Sequence, residues 1–257
     1  MNIRDWWKMH SKYIFGPFLK KIQKGNVEIS DNIYSDSHFA EFYNLSVGDK
    51  FEINDLDFYR EKITKRDVVL EIGSGNGRVF NVLSREGFNI YGVEPQLEMI
   101  KYIDPKYREK IYTIGIEDLE TINKNNFTKI IIPATTVSLF SEEQFKSFLI
   151  KAKGILDNHG EIIFDFLNHN YIKDNYGEVL NYKTDDSMFF ISNSIIDNKY
   201  VLNIYMEGNG VKKVGYSVKF LHTMEFFKEV SRELNYKLKL LYNGKMLYFL
   251  ELKNNEK

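Results

Sequence analysis

The chain has 257 residues, 35 basic and 36 acidic, a formal net charge of -1 and 43% hydrophobic residues, enough apolar material for one large core. It has no cysteine, which excludes a disulfide scaffold, Cys-ligated zinc, an iron–sulfur cluster and thiol catalysis. The near-neutral charge argues against a dedicated nucleic-acid binder. No apolar run approaches the roughly 18–20 residues of a membrane span, and the opening MNIRDWWKMH lacks the apolar segment of a signal peptide, so a cytoplasmic protein is expected.

In chain order, residues 1–63 read as a helical cover. Ile3, Trp6, Trp7, Ile14, Phe18 and Ile22 recur at helical spacing, with Lys8, Lys12, Lys20, Lys21 and Lys24 between them. Gly16-Pro17 separates two short helices. Such a stretch packs on the main core; being basic and amphipathic, it also fits a membrane surface or a partner. Residues 30–63 are aromatic-rich helical pieces, with Tyr34, Phe39, Phe42, Tyr43, Phe51, Phe58 and Tyr59. From residue 66 strands and helices alternate. Residues 67–72 form a buried strand ended by glycines, 79–86 a helix stopped by Gly87, 89–93 a strand closed by Glu94, and 96–103 a helix. A short strand at 110–114 and one at 129–132, broken by Pro133, follow. A helix at 142–156 leaves through a turn at 158–160 into a strand at 161–165. Repeated βα units predict a parallel sheet covered on both faces.

Residues 169–221 break that rhythm. Three aromatic and β-branched runs, 189–196, 200–207 and 214–221, separated by Asp197-Asn198 and 208–210, predict a small antiparallel insertion. Thr223 is the expected N-cap of a helix reaching 234. Strands 237–242 and 246–252 are joined by Asn243-Gly244, a hairpin signal that makes the last strand antiparallel to its neighbours.

The chemistry sits in residues 69–77, Val-Leu-Glu-Ile-Gly-Ser-Gly-Asn-Gly. A strand running into glycines and a helix lets backbone amides approach a ligand closely. The dinucleotide fingerprint needs its third glycine three positions after the second; Arg78 stands there, and the third glycine is Gly77. Glu71, a spacer, then Gly73, Gly75 and Gly77 resembles the first motif of the class I S-adenosylmethionine-dependent methyltransferases. The terminal hairpin resembles their antiparallel seventh strand. The resemblance covers about residues 66–165 plus the C-terminal helix and hairpin. It implies an α/β fold: a Rossmann-like, seven-stranded, mostly parallel sheet with an antiparallel last strand, a helical N-terminal cover and a small antiparallel β-insertion. Residues 1–257 then form a single domain, with 1–63 as cover or lid, 64–168 and 222–257 as core, and 169–221 as loop and insertion.

The same resemblance implies S-adenosylmethionine as cofactor. Its contacts fall on Glu71, Gly73, Ser74, Gly75 and Gly77 in the loop, and on Glu94, Pro95 and Met99 after the second strand. Glu94 lies about 20 residues beyond the glycines, where an acid accepts from both ribose hydroxyls. After the third strand, Glu117 or Asp118 matches the acid that meets the adenine amine, with Leu119 beside them; an acid pair at a helix start is equally its own explanation. Pro133 ends the fourth strand, and Tyr43 matches a lid tyrosine that covers the sulfonium by cation–π contact. The aromatics around Tyr43 read equally as the core of a packing helix.

The N-terminal lid and the insertion point to a small molecule or short peptide methylated at O or N, with no stable nucleic-acid partner and no membrane span. His38, Asp165, Asn168, His169 and Tyr171 are the candidates for the acceptor pocket. His169 is the candidate general base, although a loop histidine satisfied by solvent is its plainer reading, and Asp165 is the candidate to orient an amine or a hydroxyl. No histidine pair has metal spacing, so no metal is expected. The rivals are an RNA or protein methyltransferase, which needs a basic groove, and a non-catalytic S-adenosylmethionine-binding module, which detection of a methylated product excludes. A nicotinamide oxidoreductase is opposed by Arg78 and by the final hairpin.

Overall fold

The structure, a computed structural model, describes residue 7 and residues 10–46, 55–174 and 176–255. The expectations for Ile3, Trp6, Lys8 and Phe51 lie outside the described residues. The elements run in order α1 (Gly16–Gln23), β1 (Glu28–Ser30), α2 (Ser37–Ser46), α3 (Asp55–Lys62), β2 (Val68–Ile72), α4 (Phe80–Arg85), β3 (Asn89–Val93), α5 (Leu97–Ile100), β4 (Ile111–Tyr112) and β5 (Phe127–Ile132). There follow α6 (Glu142–Ile155), β6 (Leu156–Leu167), α7 (His169–Asp174), β7 (Val179–Lys183), β8 (Ser187–Ile196), β9 (Lys199–Gly208), β10 (Val211–Phe220), α8 (Met224–Glu233), β11 (Tyr236–Asn243) and β12 (Leu247–Asn254).

The larger sheet has seven strands in the order β11-β12-β6-β5-β2-β3-β4. The β6-β5, β5-β2, β2-β3 and β3-β4 pairs are parallel, and β12 is antiparallel to both β6 and β11. Alternation along each central strand covers both faces. Leu70, Ile72, Ile130, Ile132 and Phe164 point into one cluster with Phe145, Phe148 and Phe227. Val69, Ile131 and Ile163 point into the other with Tyr59, Phe80 and Phe249. Each such side chain contributes about 1.5–3 kcal/mol by leaving water. Ser141 and Gln144 close a reciprocal capping box on α6, and the Thr223 hydroxyl accepts from the Phe226 amide at 3.1 Å to start α8. Strand order reverses beside β2, so its C-terminal end faces the crevice where open α/β sheets place ligands.

The second sheet, β1-β10-β9-β8-β7, contains the expected antiparallel insertion, but also a strand from the N-terminal segment: β1 pairs parallel with β10. The reading of residues 1–63 as a purely helical cover on the main core is corrected here. Ile14 and Phe18 pack on one face of this sheet with Val201, Tyr205 and Val214, while Ile33, Phe39 and Phe42 pack on the other with Phe189, Ile204 and Met206. Of the two short helices expected on either side of Gly16-Pro17, the second is α1, with Pro17 in its first turn; a 3-10 turn (Ser11–Tyr13) precedes it, and most of the first lies outside the described residues. A Cβ on Gly215 would lie 2.5 Å from Phe39 Cε2, so this glycine lets α2 rest on β10.

Two further expectations shift. The turn at 158–160 is instead part of β6: Phe127 pairs with Leu156 and Lys129 with Glu161, so residues 157–160 bulge out of an otherwise continuous strand. The terminal hairpin forms, but neither Asn243 nor Gly244 has a positive φ, so its turn is not the mirror-image type that Asn-Gly favours. The chain closes with the Gly244 amide donating to Leu247 O at 2.9 Å.

Candidate active site

A cleft of about 500 Å3 lies at the C-terminal ends of β2, β3 and β5. Its floor is the loop after β2. Gly73, Gly75 and Gly77 all have positive φ, at 72°, 54° and 81°, which explains why the turn is built from glycine. The Gly73 and Ser74 amides donate to Val93 O at 2.8 and 3.1 Å, tying the loop to β3. A Cβ on Gly75 would have Met99 Cε, at 3.5 Å, as its nearest neighbour, whereas one on Gly73 would overlap Thr136. The loop is thus open at Gly75 and closed at Gly73.

Glu94, 6% exposed, accepts from the Gly75 amide at 2.9 Å through Oε2 and from the Gln96 amide at 2.9 Å through Oε1. The two bonds clamp the carboxylate across the loop and leave lone pairs on both oxygens for a ligand. Burial raises its pKa and the two backbone bonds oppose that. Glu71 is buried behind the loop, and its Oε2 has no hydrogen-bond partner among the described residues. Burial holds its pKa well above the usual carboxylate range. Arg78, in the position where the dinucleotide motif has glycine, donates to Asp55 Oδ1 at 2.7 Å and so ties the loop to α3.

The opposite wall comes from the N-terminal segment and the second sheet. Tyr34 hydrogen-bonds Ser217 of β10 and meets Tyr43 edge-on, with ring centroids 5.7 Å apart. Tyr216 and Lys219 of β10, with Asp31 before α2, complete that wall. Burial raises the Tyr34 and Tyr216 pKa values, keeping both phenols protonated.

Between the walls, the segment after β5 is strained: Ala134 and Thr135 are consecutive non-glycine residues at φ 59°. The Thr135 amide donates to Asp165 Oδ1 at 2.6 Å, and Lys219 Nζ donates to the Thr135 hydroxyl at 2.7 Å. Tyr59 Oη lies 2.7 Å from Asp165 Oδ2 and 3.0 Å from Ile132 O. A phenol has one proton and a carbonyl only accepts. Both contacts are hydrogen bonds when Tyr59 donates to Ile132 O and a protonated Asp165 donates to Tyr59. Burial raises the Asp165 pKa to about 7 against the opposing bonds from Tyr59 and the Thr135 amide, so the acid holds that proton below about pH 7 and gives it up above. Burial lowers the Lys219 pKa to about 8.

The structure brings Tyr43, Gly73, Gly75, Glu94, Pro95, Met99 and Glu117 to the cleft. Glu71, Ser74 and Gly77 lie behind its floor, and Pro133 directs the strained segment without lining it. Asp118 and Leu119 also stay off the cleft wall: Leu119 is 0% exposed and packs in the sheet core. Asp165 does not reach the cleft either, being 0% exposed beneath Thr135. His169 is not on the wall: it opens α7, where neighbouring Leu167 and Ile172 pack against the far face of the sheet. His222 is a satisfied core histidine, its Nε2 2.9 Å from Phe140 O. Among the lining residues that the sequence did not mark are Asp31, Thr136, Gln144, Tyr216 and Lys219. One usable signal was present: Gly215, Ser217 and Lys219 alternate with Val214, Tyr216 and Val218, which sets a lysine on the face of the strand that carries small residues.

Residues 70–164 match the family described as methyltransferase domain. The chain is 33% identical over 86 residues to a lysine N-methyltransferase of Caenorhabditis elegans named for an ATP synthase subunit, a stretch covering 34% of this chain and 44% of that protein. The chain thus spans less than half the length of this curated relative. Among solved structures, the CcbJ methyltransferase of Streptomyces caelestis superposes with a TM-score of 0.71 at 14% identity, covering 88% of this chain and all (100%) of that one. An S-adenosylmethionine-dependent methyltransferase from Clostridium acetobutylicum superposes with a TM-score of 0.68 at 17% identity, covering 85% and 98%.

Proposed function

Because residues 70–164 form a methyltransferase domain and the fold is that of the class I S-adenosylmethionine-dependent enzymes, we propose that the chain transfers a methyl group to O or N of a small molecule or short peptide. The observation that carries this reading is the clamp of Glu94 across an open Gly75, at the mouth of a cleft set at the reversal of strand order. The residues present fit the cofactor. Glu94 keeps unused lone pairs for the two ribose hydroxyls. Gly75 leaves its backbone approachable, and Glu117 and Met99 flank the adenine side. Glu71 Oε2 is an unclaimed acceptor beneath the loop for the methionine ammonium, directly or through a water.

The cofactor supplies a methyl on a sulfonium, already activated for displacement. The chain's task is to align a nucleophile with it and to exclude water. Tyr34 and Tyr43 close the cleft from the N-terminal side, and β10 closes it from the second sheet. Ser74, Gly77 and Pro133 shape the floor without contact. Asp165 orients Thr135 from below. A cleft closed in this way suits an enclosed acceptor better than a long polyanion. A protein lysine is the second reading, favoured by the name of the nematode relative.

Calorimetric titration with S-adenosylmethionine, S-adenosylhomocysteine and NAD tests the proposal. Micromolar binding of the two sulfur ligands and none of NAD is the expected result. Failure of both sulfur ligands to bind would overturn it.

A further inference from the structure

Lys219 is an unusual wall residue. It is half-buried at the end of β10, lines the cleft, and donates to the neutral Thr135 hydroxyl. Among the described residues it has no carboxylate within ion-pairing distance. Buried charges in proteins are normally paired, so a lysine in this position either loses its proton or awaits an anion. Asp31, also on the cleft wall, is exposed, and among the described residues it has no ion-pair or hydrogen-bond partner. A free carboxylate at the entrance favours a cation over an anion as the incoming group.

We propose that Lys219 takes the proton from the methyl acceptor, and that the acceptor is an aliphatic amine that enters as its ammonium, drawn in by Asp31. This rests on the methyltransferase reading and narrows its acceptor class. In the step, the acceptor N–H bond breaks with its electron pair left on nitrogen, and the proton moves to Lys219 Nζ. That pair then forms the N–C bond to the methyl as the C–S bond breaks, its electrons leaving on sulfur. Base strength narrows the class and Asp31 completes the choice: a phenol also ionises within reach of a lysine base, but it enters uncharged and gains nothing from the carboxylate. An amine base is far too weak for an alcohol, and a carboxylate or a weakly basic aromatic amine needs no base. An alkyl ammonium, ionising near about 10, lies within reach of a lysine whose pKa burial has lowered to about 8.

The charge that acts on Lys219 is Asp165 of β6, which favours the protonated lysine once it ionises, above about pH 7. The other ionisable groups on the cleft wall are Asp31, Tyr34, Tyr43, Glu94, Glu117 and Tyr216.

The test needs no acceptor. Sinefungin, in which an amino-bearing carbon replaces the methyl-bearing sulfonium, presents an ammonium at the reaction centre; S-adenosylhomocysteine presents none. If Lys219 and the ligand amine share one proton, sinefungin affinity relative to S-adenosylhomocysteine rises about twenty-fold between about pH 6.5 and 8.5 in the full chain. Lys219→Met removes that rise. Lys219→Arg, which cannot give up its proton, binds sinefungin weakly throughout. Asp165→Asn keeps the rise and moves it to lower pH, separating Lys219 from Asp165. Parallel pH profiles for the two ligands in the wild type, or a rise that survives in Lys219→Met, would overturn the proposal. If S-adenosylhomocysteine itself does not bind, the cofactor reading fails first and carries this one with it.

Discussion

Replacing Asp165 by Asn should stabilise the protein at neutral pH. Asp165 ionises at about 7 in the folded chain against an ordinary value of 3.8, because burial disfavours its charge. The sign follows from which state binds more protons. Between those two values the folded state holds a proton that the unfolded state has lost, so stability falls as pH rises, by about 1.4 kcal/mol per pH unit. The contribution is intact below 3.8 and lost as pH passes about 7. Asparagine reproduces the protonated acid in its present bonds: its carbonyl accepts from the Thr135 amide, and its amide donates to Tyr59, which donates to Ile132 O. Urea unfolding of both proteins at a series of pH values measures the effect, and subtracting the two curves cancels every other titrating group. The Asn variant should gain about 2.5 kcal/mol on the wild type between about pH 5 and 7.5. A difference that stays flat across that window would show that Asp165 is ionised throughout, and the hydrogen-bond assignment around Tyr59 would be wrong.

Glu94→Ala removes both acceptors for the Gly75 and Gln96 amides. Chemical denaturation should show a loss of about 2–4 kcal/mol, and calorimetry a fall in S-adenosylhomocysteine affinity of about a hundred-fold; unchanged affinity would remove Glu94 from the ribose site. Gly75→Val places a β-branched residue at φ 54° beside Met99. It should abolish cofactor binding in the same titration while circular dichroism still reports a folded sheet, and normal binding would show that the cofactor does not cross this loop.

The α/β core was legible because its signals are local. Each strand from β2 to β6 is a short apolar run between breakers, and Gly73, Gly75 and Gly77 announce a turn that only glycine adopts cheaply. The same holds for Glu94, which follows its strand directly. The second sheet was half legible. Its hairpins were marked by Asp197-Asn198 and by Asn209-Gly210, all at positive φ. The strand β1 was not, because three residues carry no periodicity and their partner β10 lies about 185 residues away. Missing β1 also misplaced the cover: Ile14, Phe18, Phe39 and Phe42 have the spacing of helix faces, and spacing does not say which sheet a face will meet.

The cleft wall opposite the glycine loop was hidden for a related reason. His169 follows the fifth strand of the core, where ligands gather, yet whether a side chain enters a cleft depends on how the next helix turns. Here α7 turns Ile172 into the apolar face of the core, and the histidine goes with the helix. The groups that do reach the cleft, Asp31 and Lys219, belong to segments nearly 190 residues apart that meet only because β1 joins β10. Each alone is an ordinary charged residue. Their meaning arises when pairing puts on one wall a carboxylate and a lysine that have no ion-pair partner among the described residues, beside the strained turn at Thr135. The second sheet is therefore more than a lid: it brings Tyr216, Ser217 and Lys219 to the cleft wall, while the seven-stranded sheet supplies the loop that resembles a cofactor cradle. Changes in β10 should accordingly alter which acceptor is used, and changes in the glycine loop should alter whether the cofactor binds at all.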